Sequence, residues 1–180
     1  MSAGPRLAAI GLLVMLAAAT LAAADVKVST VIAEGKVYAS FAAPAAYSPD
    51  ARDVVRSGLP LSCQFTVDLK RATALWFDRT IASANVTSLV KFDTLTGTYQ
   101  VSKEQDDKVV WSDRTDQEEQ MRLWLTQFDR VALGIHDPLE PNAEYYVQVR
   151  IHLSPRRTFT LWPPWGRDDG SGRADFTFIR

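Results

Sequence analysis

The stretch Leu61-Ser62-Cys63-Gln64-Phe65-Thr66-Val67-Asp68-Leu69 decides the fold class. Apolar and polar residues alternate without a break, so Leu61, Cys63, Phe65, Val67 and Leu69 share one side of an extended chain, and Ser62, Gln64, Thr66 and Asp68 share the other. Tyr145 to Leu153 repeats the pattern, with Tyr145, Val147, Val149, Ile151 and Leu153 opposed to Tyr146, Gln148, Arg150 and His152. A helix would scatter such residues around its axis, whereas a pleated strand gathers them on two faces. One oily face and one polar face is the signature of a half-buried antiparallel strand.

The same period recurs outward from these two runs. It is present in Val26, Val28 and Thr30; in Val37, Ala39 and Phe41; in Val131, Leu133 and Ile135; in Phe159 and Leu161; and in Ala174, Phe176 and Phe178. Less regular strands are expected at Leu75 to Phe77, Ile81 to Phe92, Thr98 to Val101 and Val109 to Trp111. Glu34-Gly35, Thr96-Gly97 and the charged stretch Glu104 to Asp107 separate strand-like segments at hairpin distance. Two helices interrupt the meander. Ser48 caps the first, with Pro49 at its first position and Gly58 just past its end. The second is expected to open on a capping box of Thr115 and Glu118 and to carry Met121, Trp124, Leu125 and Phe128 as one apolar stripe. The expected fold is mainly β: an antiparallel β-sandwich of about eight to ten strands, immunoglobulin-like in general architecture, with two short helices.

Composition places the chain among ordinary globular domains. Of 180 residues, 47% are hydrophobic and 23% charged, which excludes disorder and a polytopic membrane protein. Lys and Arg number 20 against 21 acids, so no general positive field gathers phosphates, and nucleic acid is not an expected partner. Met1 to Ala24 combines the cation Arg6, an apolar run from Leu7 to Leu21 and the small residues Ala22, Ala23 and Ala24. This reads as a secretory signal peptide cut before Asp25, leaving residues 25–180 as one domain, periplasmic or secreted. The alternative is an uncleaved anchor, the one expected route to the membrane. Cys63 is the single cysteine, so no intrachain disulfide can form; its place in the alternation marks it as a buried small hydrophobe.

The sequence offers no recognisable catalytic kit. G-x-S-x-G and a glycine-rich phosphate loop are missing from it. His136 beside Asp137 is a loosely plausible acid–base pair, but turn chemistry ahead of Pro138 explains the same residues. His152 falls on the polar side of its strand, where solvent exposure is expected, and the two histidines lack the spacing of metal ligands. The adjacent acids Asp106-Asp107 and Asp168-Asp169 sit in turn-rich segments, where they point apart. No catalytic residue, metal or cofactor is therefore assigned. One run does read as a contact site: Trp162 and Trp165 flank Pro163-Pro164, with Arg156 and Arg157 just upstream. Prolines pre-order the backbone, and indoles supply contact area at low entropic cost. The alternative is that both indoles fold back to close one end of the sandwich.

Several short motifs carry a resemblance. Ser57-Gly58-Leu59-Pro60-Leu61, Trp76-Phe77-Asp78 and Leu95-Thr96-Gly97-Thr98-Tyr99, with Leu139, Tyr145 and the Val149-Arg150 segment, resemble the bacterial family called domain of unknown function 4390 over roughly Val28 to Trp165. The resemblance implies an exported protein of Gram-negative-type bacteria, from a family whose genes are often found beside two-component sensor kinases. It implies no activity, cofactor or catalytic residue. Members commonly continue into a further aromatic and polar C-terminal strand, where this chain has the glycine-rich link Gly170 to Gly172. The expected role is an exported, non-catalytic binding or accessory protein of the cell envelope that engages an unknown envelope protein, a link to a sensor kinase being one form of it. The alternatives are a cell-envelope hydrolase or a carbohydrate-binding module using the same tryptophans.

Overall fold

The computed structural model describes residues 24–73, 77–135, 138–154 and 170–179. Its strands are β1 (Ala24–Asp25), β2 (Lys27–Ala33), β3 (Lys36–Ala42), β4 (Leu61–Arg71), β5 (Arg79–Asp93), β6 (Thr98–Gln105), β7 (Lys108–Thr115), β8 (Gln127–Leu133), β9 (Glu144–Ser154) and β10 (Gly170–Thr177). Two helices, α1 (Pro49–Arg56) and α2 (Glu118–Thr126), lie between them, and a 3-10 turn spans Pro44–Ala46. Among the described residues the strands form a seven-stranded sheet in the order β1-β10-β9-β4-β5-β6-β7 and a three-stranded sheet in the order β2-β3-β8. Every pairing is antiparallel except that of β1 with β10. The likeness to an immunoglobulin domain stops at the two layers. Here the four consecutive strands β4 to β7 are neighbours in one sheet, joined as a meander.

The alternation in β4 and β9 does what the sequence requires. Phe65, Val67, Leu69, Val147, Val149 and Ile151 are all buried, as are Val37, Ala39 and Phe41 of β3 and Phe128, Val131 and Leu133 of β8. These rows face one another across the two layers and form one core. Three phenylalanines join the sheets: the Phe65 ring on the large sheet lies 5.2 Å from Phe41 and 5.0 Å from Phe128, and the latter two stack at 4.8 Å. Offset and edge contacts of this kind add to the area burial. The turn residues also behave as their chemistry dictates. Glu34 and Gly35 take φ of 52° and 71°, and Asp106 and Asp107 take 48° and 64°, the left-handed pair that lets a two-residue hairpin follow the strand twist.

Helix α1 matches the reading at both ends. Ser48 Oγ accepts from Ala51 N–H at 3.3 Å, and Gly58, at φ 83°, donates to the Val55 carbonyl at 2.9 Å. Helix α2 departs from it. Its N-cap is Gln117, which makes no side-chain cap bond, and Thr115 ends β7 instead, its Oγ1 accepting from Gln117 N–H at 3.1 Å. Glu118 does not turn back to close a capping box, because two arginines of α1 hold its carboxylate. The apolar stripe is correspondingly shorter. Met121 and Leu125 are buried and Trp124 half-buried, but Phe128 belongs to β8, which starts one residue after the helix ends.

Three further points concern strands. At Leu75 to Phe77, residues 74–76 lie outside the described residues and Phe77 is 97% exposed and in no strand. The strand expected around Phe159 and Leu161 lies outside the described residues altogether. The glycines at 170 and 172 are not a link: they begin β10, because the chain at Val26 passes so close that a Cβ on Gly172 would overlap the Val26 carbonyl and stand 2.7 Å from Val26 Cβ. Val26 is where the chain leaves β1 in one sheet and enters β2 in the other. The cleavage expected before Asp25 falls inside β1, and the leader before Ala24 lies outside the described residues.

Candidate functional site

The outer side of the large sheet is polar but not simply solvated. Asp68 on β4 is only 5% exposed, although its neighbours in sequence alternate as the pattern requires. Ser83 Oγ donates to it at 2.7 Å from β5, and Arg150 Nη2 donates at 2.7 Å from β9. Lys70 Nζ reaches Gln148 Oε1 at 2.9 Å, and Tyr146 O–H donates to Asp78 Oδ2 at 2.6 Å with the Arg173 guanidinium 3.6 Å above its ring. Strand pairing aligns these groups: Asp68 stands opposite Gln148, and Gln148 opposite Arg173. Asp68 thus has partners on both adjoining strands, and the polar groups of the face are arranged as a cross-strand ladder. A shallow hollow of about 460 Å³ lies at its end, lined by Glu144, Tyr145, Arg173, Asp175 and Phe176 among others.

A second cluster fastens the helices. The Glu118 carboxylate takes Arg56 at 2.8 Å, Arg52 at 2.5 Å and the Tyr47 hydroxyl at 3.2 Å. Hydrogen bonds from Arg52, reinforced by Arg56, hold its pKa down at about 2, and burial together with this same carboxylate pushes the Tyr47 phenol up. The arrangement ties α1 and the 3-10 turn to the start of α2.

The sheet edges differ sharply in how they are guarded. On the β8 side, Lys103 Nζ donates to the Gln127 carbonyl at 2.6 Å and Gln105 Nε2 to the Ala132 carbonyl at 2.9 Å, so side chains of β6 occupy acceptors of β8. The Lys103 ammonium also lies 4.7 Å from the Phe128 ring and 5.4 Å from that of Trp111; its burial lowers its pKa. Strand β7 carries a bulge at Val110 and exposed Lys108, Asp113 and Arg114. Strand β10 is covered at its start by β1 and bears the Arg173–Asp175 ion pair. Bulges, charges and covering elements are the ordinary means of blunting an edge.

Among the described residues, strand β2 is paired on one side only and carries no bulge, and its single charge, Lys27, stands at its first position. Its seven residues, KVSTVIA, pair with β3 in unbroken register from Lys27–Ala42 to Ala33–Lys36. From Val28 to Ala33 there is no charge, proline or glycine, and four of the seven residues are β-branched. Val28, Thr30 and Ile32 stand opposite the buried Phe41, Ala39 and Val37, so they share the core-facing side, yet Ile32 is 39% exposed. Val31, on the other side, is 56% exposed. Sequence reasoning marked Val28 and Thr30 as strand residues. That their strand is an open edge follows only from the sheet order.

The residues expected to act from sequence are placed as follows. Arg156, Arg157, Trp162 and Trp165 lie outside the described residues, as do His136, Asp137, Asp168 and Asp169. His152 is half-buried on the polar side of β9 rather than open to solvent. Cys63 is buried and its thiol pKa is pushed up to about 12 by burial, in keeping with a packing role. Asp106 serves the β6–β7 turn and its carboxylate accepts from Asn85 N–H at 3.0 Å. Among the described residues no group of three His, Cys, Asp or Glu side chains gathers in a way that would hold a metal, and no helix is long and apolar enough to cross a membrane.

Comparison with known proteins gives a family and no nearer neighbour. No curated protein and no solved structure matches. The family model described as "Domain of unknown function (DUF4390)" matches residues 22–157, more than half of the chain and the whole course from β1 through β9. The glycine and proline positions that shape α1 and its exit into β4 fall inside that span, and the chain belongs to the DUF4390 family.

Proposed function

We propose that this protein is an exported, non-catalytic binding or accessory module of the bacterial cell envelope that engages another protein chain by strand addition at β2. One observation supports this reading above the others: β8, β7 and β10 are each closed or blunted, whereas β2 presents a bulge-free edge, without charge from Val28 to Ala33, whose core-facing row is incompletely covered. An added strand would bond its backbone to that edge and lay alternate side chains against Val28 and Ile32. An envelope protein is the expected partner, with a sensor kinase as the class that the family resemblance suggests. The run holding Trp162 and Trp165, with Arg156 and Arg157, is proposed as a further contact.

The test is site-specific photo-crosslinking in the native envelope, from Val31 on β2 and from Ser112 on β7. A discrete adduct from Val31, missing from Ser112 and lost when Ser29→Lys is added in a protein that stays folded, supports the reading. Equal labelling from both positions, or none from Val31, overturns it. For the aromatic run, Trp162→Ala with Trp165→Ala is expected to lower partner recovery while leaving the fold intact.

A further inference from the structure

The unguarded edge has an internal symmetry that points to a specific occupant. Resting on the reading of β2 as a docking edge, we propose that β2 pairs with β2 of a second copy of this chain, antiparallel, about a two-fold axis normal to the small sheet and passing at Thr30. Such an axis keeps core-facing residues on the core-facing side, so the pairing must join residues of like facing. Centred on Thr30, it uses all seven residues of the strand. Val28 meets Ile32 of the other copy, twice, and Thr30 meets Thr30 on the core-facing side. On the opposite side Ser29 meets Val31, and Lys27 meets Ala33. No like charges stand opposite each other, and each Lys27 comes beside Glu34 in the turn of the other copy, so the charges at the two ends are complementary.

Neighbouring registers lose this match. Centring on Val31 sets Val28 against Glu34, and centring on Ser29 carries Ile32 and Ala33 beyond β2 to Val26 and Asp25. The Thr30 register also covers the side chain that the monomer leaves most open on its core-facing row, since Ile32 gains Val28 across the new pair. The two small sheets become one six-stranded sheet, β8-β3-β2-β2-β3-β8. A single strand pair is a small interface by the standards of permanent dimers, so the assembly is expected to dissociate on dilution.

Cysteine placement tests the register directly, because Cys63 is buried and the chain has no other thiol. Thr30→Cys puts two thiols across the axis, whereas Val31→Cys puts each thiol opposite Ser29 although residue 31 is the more exposed site in the monomer. Under mild oxidation of the purified protein, Thr30→Cys is expected to form disulfide-linked dimer at least about tenfold faster than Val31→Cys at equal concentration. A ratio near one overturns the proposal. Should Thr30→Cys fail to fold, Ser29→Cys with Val31→Cys in one chain offers the same readout through the 29–31 pair, with Ser29→Cys alone as its control. The docking reading fails separately: a ratio near one together with a discrete Val31 adduct to a different protein leaves that reading standing, and the same ratio with no adduct removes both.

Discussion

Replacing Phe65 by alanine tests the two-layer packing more directly than any other single change. Phe65 is 1% exposed and its ring touches Phe41 and Phe128, which belong to the opposite sheet. Truncating a buried Phe removes its transfer free energy and leaves a cavity, together about 3–5 kcal/mol. The aromatic contacts add about 0.5–1.5 kcal/mol for a pair, partly counted already in the cavity figure, so about 4 kcal/mol is expected. That is a large share of the roughly 5–15 kcal/mol by which domains of this kind are stable. With an m-value of about 2 kcal/mol/M, the urea midpoint should fall by about 2 M with little change in slope. The control is Gln64→Ala, one residue away on the exposed side, with an expected effect within about 0.5 kcal/mol. Equal effects of the two substitutions, or a loss under about 1 kcal/mol for Phe65→Ala, would refute the face assignment and with it the sandwich. A cycle with Phe128→Leu should show coupling of about 0.5 kcal/mol or more, since the two rings are in contact across the layers.

Glu118 is held ionised at a pKa of about 2 against an ordinary 4.5, so its contribution is complete above pH 4.5 and is lost as pH falls from there toward 2. Glu118→Gln should therefore lower stability at neutral pH, and its unfolding curve should converge on the parent's between those two pH values; parallel curves throughout would contradict the assignment. Gly172→Ala must displace the backbone at Val26, and an expected loss of about 1–3 kcal/mol in thermal or urea unfolding replaces the small gain that Gly→Ala gives at an open site. Cys63 should react with a thiol reagent only through opening of the fold, at least about 1,000-fold slower than in urea; labelling at a free-thiol rate would place it outside the core.

What the sequence by itself determined is the set of local choices that one chain segment can make alone. Burial every second residue made β4 and β9 strands with known inner faces, because a pleated chain offers no other way to separate Phe65 and Val67 from Gln64 and Thr66. Ser48, Pro49 and Gly58 fixed both ends of α1, since capping and the left-handed exit depend on nearby backbone only. The start of α2 was misread because Glu118 had a choice between its own backbone and two arginines more than sixty residues away in the chain, and the charged partners won. The glycine run at 170–172 read as a link because nothing local reveals that Val26 crosses over Gly172. The open edge at β2 belongs to this second group. KVSTVIA is legible as a strand, but whether a strand is central or an edge depends on which others lie beside it, and that is settled by long-range pairing between segments far apart in sequence.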